Sequence, residues 1–202
     1  MTIQENLQHF VESTNRSAPA WLEQGKGLLL AAETLNTELL QLCDQFNPSI
    51  PDNIQPKFLG LMDGLMLLLG LSIENAIKGF IIANKPDFKN YSDLDTYKFN
   101  SSGGHAIKEM VDFNIKPLEP IEVDLLERLQ EAIIWAGKYN SPRKTNKICR
   151  NIDSIHPSFQ EKDFYNCSIL FNRIELLTMH KWEQTESLYW IWCDNYKSAN
   201  DK

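Results

Sequence analysis

KFLGLMDGLMLLLGLSIENAIKGFIIAN, residues 57–84, is the stretch on which the fold turns. Phe58, Leu61, Leu65, Leu68, Ser72 and Ala76 recur at steps of three and four, the period of a helix. Between Leu65 and Ile73 the stretch is apolar on nearly every side, as a helix is when it lies inside a bundle. Lys85-Pro86 ends it, because proline disfavours helical backbone in the residue before it. Its longest unbroken apolar run, LMLLLGLSI at 65–73, is bounded by Asp63 and Glu74 and is too short to cross a bilayer. The stretch is therefore read as the central helix of a soluble protein.

The flanks carry the same period. Upstream, Ile3, Leu7, Phe10, Val11 and Thr14 mark a short first helix. Ser17 is a helix N-cap, and Pro19 sits where a helix start tolerates it. Leu28, Ala32, Leu35, Leu39, Leu42 and Phe46 then predict an amphipathic helix of roughly 25 residues. NPSIPDNIQP, 47–56, is a connection. Downstream, residues 85–103 form one long polar loop, and GGHAIKEMVDFN leads into a short helix. Pro120 opens another through LLERLQEAIIWAGKY, with Leu125, Leu129, Ala132, Ile133 and Ala136 as its core stripe. KYNSPRKTNKICRNI, 138–152, breaks it. The last helical region runs from about Ser158 to Tyr196, with Cys167, Leu170, Ile174 and Leu177 facing inward. No alternating run predicts a sheet, and no internal repeat is present. The fold class is all-α: an up-and-down helical bundle forming one domain over 1–202. Its parts are N-terminal helices in 1–56, a core in 57–180 and an aromatic helix end in 181–202.

Composition narrows function more than it names it. The chain is 43% hydrophobic and 23% charged, ordinary for a globular domain. A net charge of -7 excludes a generic nucleic-acid sponge, since phosphate repels an acidic surface. A nucleic-acid role then needs a local basic patch. Lys138, Arg143, Lys144, Lys147 and Arg150 supply one, with no acidic residue in 138–152. The alternative is a solvated loop. Cys43, Cys149, Cys167 and Cys193 lie far apart with no CxxC, which fits reduced cytoplasmic thiols rather than disulfides or zinc. The N-terminus lacks a secretory pattern. His105, after two glycines, reads as a turn or cap residue before a metal ligand, and no histidine has a glutamate three residues earlier, as a di-iron bundle would need. No phosphate-binding glycine loop or GxSxG elbow occurs. No metal and no cofactor is expected.

Three stretches in order carry a resemblance: GLSIENAIKGFIIANKP (70–86), GGHAIKEM (103–110) and LLERLQEAIIWAGKYNSP (125–142). Together, over roughly 57–180, they resemble the HEPN-like helical domains of prokaryotes. The turn Lys138-Tyr139-Asn140 departs from the family's Arg-Tyr-Pro-like turn at two of three places. The resemblance implies a homodimer. In many members it implies a metal-independent endoribonuclease, marked by an arginine, a polar residue and a histidine after four to six intervening residues. RNIDSIH, 150–156, fits, with Arg150, Asn151 and His156 in those places. Metal-free cleavage needs proton transfers that a histidine of ordinary pKa about 6.5 performs, and a fixed cation for the phosphorane. NRIELLTMH also fits, pairing Arg173 with His180, about 10 Å apart along one helix face; there a partner near Glu175 or solvent for Arg173, and packing at the stripe's edge for His180, are the plainer reading. Five arginines and four histidines produce roughly 0.3 such matches by accident.

Two other groupings read as structural. Glu74 and Lys78, four apart on the most apolar helix, form a partly buried pair setting register against HAIKEM. Trp182, Tyr189, Trp190, Trp192 and Tyr196 serve core packing or a dimer interface ahead of base stacking. Two functions of different class stand. One is a non-catalytic cytoplasmic binding module for nucleotide, RNA or a protein partner, without membrane attachment. The other is an endoribonuclease of a defence or toxin system using Arg150 and His156.

Overall fold

A computed structural model describes residues 17–46, 50–84, 106–136 and 159–184. Helix α1 spans Ala18–Phe46, 29 residues, slightly longer than its stripe predicts. Ser17 caps it as expected, its Oγ accepting the Ala20 N–H at 3.3 Å. Helix α2 spans Gln55–Ala83. Pro56 occupies its first turn, where the missing N–H costs nothing. Asn84 closes it, donating its side-chain amide to the Phe80 carbonyl at 2.9 Å. Helix α3 covers Ile107–Asn114 and α4 Pro120–Glu131. A five-residue π-turn, Ala132–Ala136, continues α4. Helix α5 is Asp163–Gln184. Among the described residues there is no strand, and the all-α prediction holds.

Long-range pairs fix an up-and-down order. Lys57, at the start of α2, reaches Glu38 late in α1 at 2.5 Å, so these two run antiparallel. Arg128 meets Asp163, while Arg173, further along α5, meets Glu122 further back in α4, so α4 and α5 are antiparallel too. Helix α2 packs against every other described element. Leu65, Met66, Leu69, Ile73, Ala76 and Ile77 all lose their full surface there, which is why the residues are apolar all round. By length and composition α2, at 29 residues, is long and apolar enough to cross a membrane, a test that a bundle's central helix also passes; 72% of its most apolar window is buried inside the fold.

Small residues set the helix spacing. A Cβ at Gly70 would stand 2.7 Å from Ile133 Cγ1, so the missing side chain is the slot that admits the π-turn. At Gly79 a Cβ would meet the Ala18 carbonyl oxygen at 3.1 Å, the closest approach of α1 at that end. A second cluster gathers there: Ala18, Ile82 and Ala83, with Trp21 and Trp182 packed on it. Trp182 is thus a packing residue.

The structure corrects the start of the last helix and one residue of its inward stripe. It begins at Asp163, not Ser158, because the Asp163 carboxylate turns back to accept the Gln160 N–H at 2.8 Å and fixes the first turn there. Leu177 is exposed; Phe171 and Thr178 take the inward positions beside Cys167, Leu170 and Ile174. A stripe at steps of three and four drifts around the helix, and here the drift carries Leu177 out. The Thr178 hydroxyl remains satisfied in the core by the Ile174 carbonyl at 2.7 Å. The short first helix, the loop at 85–103 and the aromatics beyond Gln184 lie outside the described residues.

Candidate functional site

The cationic residues Lys138, Arg143, Lys144 and Lys147, and the candidate catalytic set Arg150, Asn151 and His156, lie outside the described residues, as does His105. The two elements that bracket the cationic segment are described. The chain leaves α4 through the π-turn at Ala136 and rejoins at Phe159, which packs on the main core. Because α4 and α5 are antiparallel, both points belong to one end of the bundle. π-Turns recur at functional sites, where their widened backbone re-aims the next residues of the chain.

That end is held by a buried ion pair that neither periodicity nor motif announces. The Asp163 side chain is fully buried. Its Oδ1 accepts Arg128 Nη2 at 2.8 Å and its Oδ2 accepts Arg128 Nη1, a two-pronged pairing of guanidinium with carboxylate. Arg128 Nε also donates to Asp124 Oδ2 at 3.0 Å. Burial works against the guanidinium's charge, but Asp163, and then Asp124, more than offset it and raise its hold on the proton. The arrangement locks the first turn of α5 against mid-α4. Its sequence traces are an acidic residue in a helix's first turn and a rare arginine; a separation of 35 positions hides the pairing.

The second arginine–histidine match resolves structurally. Arg173 does not take a neighbour on its own helix. Its Nη1 lies 3.1 Å from Glu122 Oε1 on α4. Glu122 is itself spoken for, its Oε2 accepting the Glu119 N–H at 2.8 Å as half of a capping box. Arg173 Nε and Nη2 are sealed from solvent without a hydrogen-bond partner, whereas His180 is exposed. The two groups therefore do not converge on a common open space. Glu175 pairs with Lys26 on α1 at 3.3 Å.

Lys78 and Glu74 form the expected partly buried pair, 2.5 Å apart. The neighbour that the sequence does not disclose is Trp21 of α1, whose ring centre lies 5.3 Å from Lys78 Nζ. Among the described residues no group of three or more His, Cys, Asp or Glu side chains is placed to hold a metal ion.

Cys43 and Cys167 are free thiols. Cys167 lies under the bundle, its Sγ 4.0 Å from Ser72 Oγ and 3.8 Å from the Leu69 carbonyl. Burial pushes its thiol from 9.0 up to about 12, so it is no nucleophile at neutral pH. Alkylation followed by peptide mass spectrometry is expected to label Cys43, which is only half-buried, well before Cys167. Because the folded thiol holds its proton more tightly than the unfolded one, its share of the stability is intact below about 9 and is lost as pH rises towards about 12. Equal labelling of both thiols in the folded chain would contradict the packing around Ser72.

No family model, no curated protein and no solved structure matches this chain.

Proposed function

We propose that the chain is a HEPN-like helical binding module of the cytoplasm that engages the phosphates of RNA or a nucleotide through residues 138–152, without catalysing their cleavage. The observation that carries this reading is the charge contrast: five cations and no acid in 138–152 of a chain whose net charge is -7. The bracketing geometry supports it. The described residues on either side of the segment, Ala136 at the end of the π-turn and Phe159 ahead of the buried Arg128–Asp163 pair, belong to one end of the bundle. The free, widely spaced thiols accord with a reducing compartment.

Fluorescence anisotropy with labelled single-stranded RNA in EDTA tests it. Binding is expected to weaken with salt, with a slope of about -0.7 per phosphate neutralised. Reversing Arg143, Lys144 and Lys147 to glutamate should cost at least about tenfold in affinity and flatten that slope. RNIDSIH favours a second reading, the metal-independent endoribonuclease. It predicts RNA products in EDTA that disappear in both Arg150→Ala and His156→Ala. Binding without cleavage supports the module, cleavage with that mutational pattern supports the nuclease, and neither binding nor cleavage removes both.

A further inference from the structure

We draw no further inference here: the strongest candidate, the exposed apolar face of α5 formed by Tyr165, Ile169 and Leu176, carries nothing because nothing in the structure shows what covers it.

Discussion

Replacing Arg128 by alanine is expected to lower stability by about 3–5 kcal/mol, a large share of the roughly 5–15 kcal/mol that holds a domain together. The reason lies with the partner left behind. Asp163 stays fully buried with its Oδ1 stripped of its partner and its Oδ2 left with the Gln160 N–H alone. An unpaired carboxylate beneath the surface forfeits its hydration and receives little in return. Urea denaturation of the full chain measures this. Two companions identify the cause. Arg128→Met with Asp163→Leu removes both charges and should recover much of the loss, because a buried pair is expensive to break and far less expensive to delete entirely. Lys57→Ala, which breaks an exposed pair with Glu38, should cost at most about 1 kcal/mol. Added salt should weaken the Lys57 contribution and scarcely touch that of Arg128. A loss for Arg128→Ala no greater than that for Lys57→Ala would mean that water reaches Asp163.

The contrast between this pair and α2 shows what a sequence of this kind discloses. Residues 57–84 are legible because a central helix meets apolar neighbours in every direction, so burial is written into nearly every position. Ser17 is legible because capping is local, the acceptor and its donor lying three residues apart. The first turn of α5 begins five residues later than the start read from the sequence because the deciding contact is a carboxylate folding back onto Gln160. The exposed apolar side chains of α5 are hidden for a related reason. Tyr165, Ile169 and Leu176 interleave with the inward residues, and a helix apolar on two faces shows no clean stripe from which to choose. Arg128 with Asp163, and Arg173 with Glu122, join residues 35 and 51 positions apart, 173 less 122 in the second case, and no periodicity reports on that. The candidate chemistry at Arg150, Asn151 and His156 is legible only as a spacing. The structure contributes the two anchors of its segment, of which the π-turn has no trace in the pattern.

Alanine at Gly25 and alanine at Gly27 should move stability in opposite directions, although both are interior to α1 and two residues apart. At Gly27 a new Cβ meets nothing within 4 Å. The substitution then acts on the helix and the unfolded chain alone, stabilising by about 0.5–1 kcal/mol. At Gly25 the same Cβ would stand 2.9 Å from Phe171 Cε2, 2.9 Å from the Ser72 carbonyl oxygen and 3.3 Å from Asn75 Cβ. The ring of Phe171 can tilt, but it is fully buried among its neighbours and has little room. The Ser72 carbonyl belongs to the backbone of α2 and cannot step aside unless the two helices part. Overpacking of this kind costs about 1–3 kcal/mol, more than the gain in helix propensity returns, and Gly25→Val should cost more than Gly25→Ala. Thermal melts of the three variants decide it, with Tm raised by Gly27→Ala and lowered by both changes at Gly25. The consequence reaches beyond one contact. Ser72 Oγ donates to the Leu69 carbonyl and faces Cys167 across the α2–α5 contact, so parting α1 from α2 disturbs the place where α1, α2 and α5 meet. A Gly25→Ala chain that melts higher than the parent would show that α1 is not seated against α2 at this depth. Trp21, one turn earlier on the same helix, would then have no fixed place over Lys78.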